Sequence, residues 1–180
     1  MRVRRRMDGW ELGGFLFTVL AGTALHFLYA WSGESAWAAA VSAVNESVWE
    51  HMKLLYVPLF LLSMVQLCFQ GRTSSTYLAA RAASALCGTA LIPVLYYTYT
   101  GALGRHFLAA DIAVFLLSAA AAFLLDRTLR RRDALSAGWQ QLLGLLLLWG
   151  VLFLFLYLTF RPCRIPLFQD PVTGGFGRLG

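Results

Sequence analysis

Charged side chains are scarce in this sequence: they make up 13% of its 180 residues, whereas hydrophobic side chains make up 59%. A soluble globule of this size needs more polar surface than that to cover itself. The shortage excludes a soluble domain and predicts an integral membrane protein. Cysteine is also rare, and Cys68, Cys87 and Cys163 show no C-x-x-C spacing. Neither a disulfide framework nor a cysteine zinc site is therefore indicated.

Several sequence motifs that identify enzymes are missing as well. The patterns G-x-S-x-G and H-E-x-x-H do not occur, and there is no phosphate loop. A net charge of +6 could suggest nucleic acid as a partner, but the arginines occur in short runs between apolar segments. That distribution is typical of membrane topology. We expect no nucleic-acid partner, and we expect a multi-pass protein of the cell membrane whose partner is the lipid bilayer.

Long apolar segments predict an all-α integral membrane protein, with a single helical domain over residues 1–160 that forms a bundle of about five transmembrane helices. Aromatic side chains that suit the membrane interface, such as Trp10 and Trp31, bracket the first segment. The expected spans are residues 10–31, residues 47–69, a third that follows a turn at 71–75 and ends near Thr98, residues 106–125, and residues 139–160.

Individual residues modify this scheme. Pro58 is expected to kink the second span, and Pro93 to break the third. The small residues of segment 79–88 suit close packing of helices. Arg81 lies about a turn inside the third span and is expected to snorkel back to the interface. Segment 126–133, D-R-T-L-R-R-R-D, predicts a charged loop.

Arginine and lysine are unevenly divided between the two sides of the predicted bundle. One side carries ten of them: Arg2, Arg4, Arg5, Arg6, Arg72, Arg81, Arg127, Arg130, Arg131 and Arg132. The other side carries five: Lys53, Arg105, Arg161, Arg164 and Arg178. The positive-inside rule then predicts a cytoplasmic N-terminus and an outer C-terminus. The end of the first span and the starts of the second and fourth spans consequently lie on the outer side.

The polar segment 45–53, N-E-S-V-W-E-H-M-K, stands where the second span begins. Asn45 is expected to cap this helix at its N-terminus. In a helical conformation two polar stripes form about 100° apart. One stripe contains Glu46, Glu50 and Lys53, and the other contains Ser47 and His51.

Six ionisable side chains are expected to gather near the outer side of the bundle. They include all three histidines of the chain: His26, Glu46, Glu50, His51, His106 and Asp111. A rise of about 1.5 Å per residue puts His26 roughly 7 Å inside Trp31 and His51 roughly 6 Å inside Ser47, so their depths match. Charged groups within a membrane are costly unless they pair or reach water. A functional site is the default hypothesis for this cluster.

Three interpretations of the cluster remain open. The first is a metal-dependent hydrolase, in which His26, His51 and His106 bind zinc and the substrate is a lipid, a lipid-linked compound or a small molecule. Its candidate catalytic residues are Glu50, Asp111 and Ser47. The second is a small carrier or an accessory subunit, in which the same groups bind a cation or a proton without catalysis. The third is structural: the carboxylates and Lys53 form a solvated helix start, and the histidines bond to each other.

Three segments resemble an uncharacterised bacterial family of small polytopic membrane proteins, a domain of unknown function. They are H-F-L-Y-A-W-S-G at 26–33, V-N-E-S-V-W-E-H-M-K-L-L at 44–55 and I-P-L-F-Q-D-P-V-T-G-G-F-G at 165–177. This resemblance covers most of the chain and implies a membrane topology, without an activity. The spacing Ser47-x-x-x-His51 also resembles one motif of ceramidase-like intramembrane zinc hydrolases, which implies a zinc hydrolase. Those proteins have seven spans, against the five expected here.

Residues 161–180 form a tail that is rich in proline and glycine and is expected to be irregular on the outer side. Terminal segments are flexible unless they are tied down, whereas Leu167 and Phe168 are apolar enough to dock on the bundle. Both states remain open at this point. An ordered tail is a candidate lid, with Asp170 near the outer cluster.

Overall fold

The computed structural model describes residues 2–70 and 74–179, and this part of the chain forms six α-helices. Part of the predicted turn at 71–75 lies outside the described residues. Five of the helices are long and apolar enough to cross a membrane, which confirms the predicted all-α membrane bundle. The helices are α1 (Arg2–Trp31), α2 (Ala36–Val41), α3 (Val48–Gln70), α4 (Tyr77–Leu103), α5 (Leu108–Arg131) and α6 (Gly138–Phe160).

Helix α4 lies at the centre of the bundle and packs against α3, α5 and α6, while α1 packs against α3 and α5. Glycines allow the closest approaches. A Cβ atom added at Gly88 of α4 would lie 2.7 Å from the Cβ of Ala122 in α5. One added at Gly22 of α1 would lie 2.6 Å from the carbonyl oxygen of Leu54 in α3. Small residues therefore let these backbones approach, as predicted for segment 79–88.

An aromatic cluster joins α3, α6 and the C-terminal tail. The ring of Trp49 lies 4.5 Å from that of Phe155 and 4.6 Å from that of Phe168, measured between centroids. Tyr56 extends the cluster and donates a hydrogen bond of 2.7 Å to the carbonyl oxygen of Leu148. Aromatic contacts of this kind stabilise a fold by more than the burial of apolar surface alone. The tail is thus tied to the bundle through Phe168.

Two helices extend further than the sequence predicts. Pro93 does not break α4, which continues past Thr98 to Leu103. A proline within a membrane helix removes one hydrogen bond, and neighbouring helices support the remainder. Most of segment 126–133 is helical rather than a loop, because α5 runs on to Arg131. Asp126, Arg127 and Arg130 of this segment form ion pairs with residues of other helices.

Those partners form a buried ionic network at the end of the bundle that contains the start of α1 and the end of α5. Arg81 is 2% exposed, so the prediction that it snorkels to the interface is wrong. Its Nη2 donates to Oε1 of Gln66 at 2.6 Å and lies 3.4 Å from Oδ2 of Asp126. The same Oδ2 atom is 2.9 Å from Nη2 of Arg130, which lies 3.9 Å from Glu11. The network joins α1, α3, α4 and α5. We call this end of the bundle the network end and the opposite one the site end.

The tail folds back over the site end. It contains two short 3-10 turns, Pro166–Phe168 and Gly177–Leu179, with an antiparallel bridge between Gln169 and Phe176. Asp170 stabilises the turn between them: its Oδ1 accepts from the amide of Val172 and its Oδ2 from the hydroxyl of Thr173, both at 2.8 Å. The Asp170 carboxylate is therefore used within the tail itself, where the sequence predicts an approach to the outer cluster.

Polar contacts fix the end of the tail to the loops beside it. Arg178 donates to the carbonyl oxygen of Glu34 at 2.8 Å and to the hydroxyl of Tyr29 at 3.1 Å. The side-chain amide of Asn45 donates to the carbonyl oxygen of Gly177 at 3.1 Å. The tail consequently contacts the segment that carries the polar residues 45–53.

Candidate functional site

The start of α3 differs from the prediction in a way that shapes the site. The helix begins at Val48, and Asn45 is not its cap. Instead, Ser47 Oγ accepts the Glu50 amide at 3.4 Å, and Asn45 Oδ1 accepts the Ser47 amide at 2.9 Å. The asparagine thus closes a turn ahead of the helix, and the serine takes the capping position. Glu46 therefore lies outside the helix and does not share a stripe with Glu50.

Three side chains converge at the site end: His26 of α1, Glu46 of the loop before α3, and His51 of α3. Nε2 of His26 lies 3.6 Å from Oε1 of Glu46, and Nε2 of His51 lies 3.6 Å from Oε2 of the same carboxylate. The two imidazole rings are 5.5 Å apart. One ligand atom from each of the three residues lies within 4.8 Å of the others. Such a group can bind a single divalent cation.

Hydrogen bonding orients the His51 ring for this role. Its Nδ1 lies 3.0 Å from the carbonyl oxygen of Ser47. A carbonyl oxygen can only accept, so Nδ1 is the donor; in the neutral ring the lone pair of Nε2 then faces Glu46. Metal-binding histidines are usually oriented by such a bond. The buried Nδ1 of His26 has no hydrogen-bond partner among the described residues.

Glu50 and Lys53 form a separate, buried unit. Lys53 Nζ lies 2.7 Å from Glu50 Oε2 and donates to the carbonyl oxygen of Ala39 at 2.9 Å and to Thr159 Oγ1 at 2.8 Å. The amide of Val44 donates to the same carboxylate at 3.2 Å. Both charged side chains are fully enclosed, so the interpretation of them as a solvated helix start is wrong. Lys53 and Glu50 are buried because partners from α2 and α6, Ala39 and Thr159, enclose them.

His106 pairs with Asp111 at the start of α5. Its Nδ1 lies 3.4 Å from Oδ2 of the carboxylate, and the hydroxyl of Tyr99 donates a short hydrogen bond to Oδ1. The amide of Phe107 donates in turn to that hydroxyl at 3.4 Å. The structure thus groups His106 with Asp111, whereas the sequence predicts a set of three histidines.

The His26–Glu46–His51 cluster and the His106–Asp111 pair line the same cavity. Its volume of about 690 Å³ is within the usual range for ligand sites. Apart from these two groups, most of its wall is apolar and comes from α1, α3, α4 and α5, and the tail contributes Pro171 and Val172. The polar residues that line it are His26, Glu46, His51, His106 and Asp111, with Thr23 and Tyr96. A molecule bound in this cavity would contact the His26–Glu46–His51 cluster and the His106–Asp111 pair.

One feature of the site is not apparent from sequence reasoning. Glu46 is not among the predicted zinc ligands, yet its carboxylate lies between the two imidazoles. The alternation of Asn45 and Ser47 is a signal that could have indicated it, because two capping residues in succession suggest a turn before the helix. The sequence leaves open whether the tail is disordered or an ordered lid, because its contribution to the cavity depends on long-range contacts.

The fold and this cavity define a class: a polytopic membrane protein of five spanning helices with a histidine–carboxylate cluster at one end. The chain belongs to DUF6512, a family of unknown function, whose profile matches residues 1–178. This membership agrees with the resemblance of the segments around residues 26–33, 44–55 and 165–177. No curated protein and no solved structure matches the chain.

Proposed function

We propose that the protein is a metal-dependent hydrolase that acts on a lipid or a lipid-linked substrate. The observation that carries this proposal is the convergence of His26, Glu46 and His51 on the wall of a largely apolar cavity. Two histidines and one glutamate that leave a fourth position open are a ligand set of catalytic zinc sites. Glu46 then takes the place that the sequence assigns to His106.

The spacing of the three side chains supports this assignment. Ligand atoms around a tetrahedral zinc ion lie about 3.4 Å apart, given zinc–ligand bonds near 2.1 Å. Each histidine Nε2 lies 3.6 Å from a different oxygen of Glu46, and one ligand atom from each residue lies within 4.8 Å of the others. Rotations of the three side chains would bring these atoms to the spacing of a zinc site. When bound, zinc would polarise the substrate and activate a water molecule.

Asp111 and His106 are the candidate general bases in this cavity that the zinc ligand set does not use. Tyr99 and His106 orient the Asp111 carboxylate on the cavity wall. In hydrolysis, the oxygen of water bonds to the electrophilic centre of the substrate and the bond to the leaving group breaks. Asp111 or His106 would take the proton from water and return it to the leaving group.

The other two candidate catalytic residues are less suited to these steps. Glu50 is occupied by its ion pair with Lys53. The hydroxyl of Ser47 caps α3, while its carbonyl oxygen orients His51. We therefore assign positioning roles to Ser47 and Glu50.

Metal analysis of the purified full-length protein tests the proposal. Protein prepared without chelator is expected to carry about one zinc ion per chain, as a single site requires. His51→Ala is expected to abolish binding, because it removes the ligand that Ser47 orients. His106→Ala is the matched control and is expected to retain the metal. Metal-free protein that is indifferent to added zinc would contradict the hydrolase and favour a small carrier or accessory subunit.

A further inference from the structure

We infer that the cavity binds one acyl chain of a membrane lipid, which enters from the bilayer between α1 and α5. This inference supplies a substrate class for the proposed hydrolase and rests on that function only for the reaction. The binding site itself is argued from the shape and chemistry of the cavity, whose walls need no metal to accept a hydrocarbon chain.

The part of the rim that α1 and α5 form is mostly apolar. On these two helices, four apolar side chains both line the cavity and remain exposed: Phe27 (47%), Leu108 (75%), Ile112 (51%) and Leu116 (38%). Phe27 belongs to α1 and the others to α5, and all four lie within membrane-spanning segments. Exposed apolar side chains at such positions contact the acyl chains of the bilayer. The cavity is therefore continuous with the hydrocarbon phase on this side.

The interior of the cavity suits the tail of an amphiphile. Its inner wall contains Val48, Leu54, Ile92 and Val114, all of them buried. The polar lining residues lie near the site end of α1, α3 and α5, whereas the lining further along these helices is mostly apolar. A bound lipid would thus place its polar group at the His26–Glu46–His51 cluster and its hydrocarbon chain deeper in the bundle.

The extent of the cavity matches one leaflet. It follows α1 from Val19 to Phe27 and α5 from Leu108 to Leu116. Each stretch corresponds to a rise of about 12 Å along the helix. One leaflet contributes about 15 Å of hydrocarbon. A chain from the adjacent leaflet can therefore enter without crossing the membrane midplane.

The substrate class that follows is an acyl ester or acyl amide lipid. Hydrolysis would join the hydroxyl of water to the acyl carbon and break the bond from that carbon to oxygen or nitrogen. The remaining proton would pass to the departing alcohol or amine, and the other product would be a fatty acid. The acyl chain would remain in the cavity while the polar product leaves at the site end.

Photolabelling tests the acyl-chain site directly. Full-length protein would be reconstituted in phosphatidylcholine vesicles that contain a diazirine-bearing palmitate, irradiated, and mapped by mass spectrometry. Labels are expected on cavity-lining residues. Leu116→Trp is expected to reduce this labelling by about tenfold, equivalent to roughly 1.4 kcal/mol of binding. Leu117→Trp is the matched control, because Leu117 is exposed on the same helix but is not part of the lining.

Equal labelling of the two variants, or labels only on lipid-facing residues outside the cavity, would overturn the inference. Ile112→Trp at the rim provides a second obstruction if Leu116→Trp does not fold. Zinc content of the same samples separates the two proposals. Cavity labelling in metal-free protein would sustain the acyl-chain site and contradict the hydrolase. Zinc-bound protein without cavity labelling would contradict the acyl-chain site alone.

Discussion

At the scale of single residues, Glu46 and Glu50 are close in sequence but belong to different units. Glu46 precedes α3 and faces the two histidines, whereas Glu50 lies within the helix and pairs with Lys53. The second unit supports the first, because the Glu50 carboxylate also accepts the amide of Val44, two residues before Glu46. The buried ion pair thus helps to position the loop that supplies a candidate ligand.

The first residue-scale prediction concerns this ion pair. Lys53→Met would leave the Glu50 carboxylate buried without its counter-charge, which is expected to lower the free energy of unfolding by about 3–5 kcal/mol. In a Glu50→Gln background the same change is expected to cost less, because no buried charge is left unpaired. Reversible unfolding of the four proteins in detergent micelles measures both costs in a double-mutant cycle.

Additive effects within about 0.5 kcal/mol would show that the two side chains act independently, contrary to this prediction. Loss of zinc binding in Glu50→Gln with an unchanged fold would additionally demonstrate that the Glu50 carboxylate positions Glu46. Both measurements use the same purified proteins.

The residues of the site were predictable in type, but their grouping was not. Histidines and carboxylates within apolar segments are conspicuous in a sequence, and helical rise correctly suggests similar depths for His26 and His51. Which side chains meet depends on the rotation of each helix and on the turn made by Asn45. A hydropathy pattern reports neither the rotation of a helix nor the path of a turn, so it could not predict that His106 pairs with Asp111.

At the scale of helices, close contacts at glycine determine how α4 and α5 pack. A Cβ at Gly88 would lie 2.9 Å from the carbonyl oxygen of Ser118 as well as 2.7 Å from the Cβ of Ala122. Backbone atoms of a buried helix cannot move independently of their neighbours. The contact therefore constrains the side chain at position 88 more strongly than hydrophobicity does.

Gly88→Ala is accordingly expected to destabilise the protein by about 1–3 kcal/mol, the usual cost of overpacking. Gly150→Ala in α6 is the control, since a Cβ added there has no neighbour within 4 Å. Alanine also favours a helix over glycine, so that variant is expected to be neutral or more stable by up to about 1 kcal/mol. Thermal unfolding in micelles compares the two. Equal destabilisation would refute the close-packing argument.

Helix positions were largely predictable because long apolar segments are unambiguous, and the errors have a common physical cause. Segment 126–133 has the composition of a loop, but Asp126 and Arg130 are stabilised within α5 by partners on other helices. Arg81 likewise stays inside the bundle because its guanidinium forms a hydrogen bond with Gln66 and an ion pair with Asp126. Such pairings join residues that are far apart in sequence, so local patterns do not reveal them.

At the scale of the whole molecule, the two ends of the bundle differ in character. The network end is closed by ionic pairs among buried side chains, whereas the site end contains a cavity, exposed histidine and carboxylate groups, and a docked tail. The distribution of arginine predicts that the network end faces the cytoplasm. The candidate site would then serve the outer leaflet of the membrane.

Impermeant thiol reagents test this orientation in intact cells. Cys163, which is exposed beyond α6, is expected to react. A cysteine introduced as Ser136→Cys, between α5 and α6, is expected not to react until the membrane is permeabilised. Cys68→Ala and Cys87→Ala remove the other exposed thiols. The reverse pattern would invert the topology, and reaction at both positions would contradict the five-span arrangement.

The enclosure of Lys53 has a chemical consequence, because the sequence contains no other lysine. Its ammonium group is fully buried and bound by Glu50, Ala39 and Thr159, so the folded protein offers no lysine amine to an acylating reagent. An N-hydroxysuccinimide ester would reach this position once the surrounding helices separate. Covalent tagging of one side chain would therefore count unfolded molecules, and would distinguish a variant that has lost its ligands from one that has lost its fold.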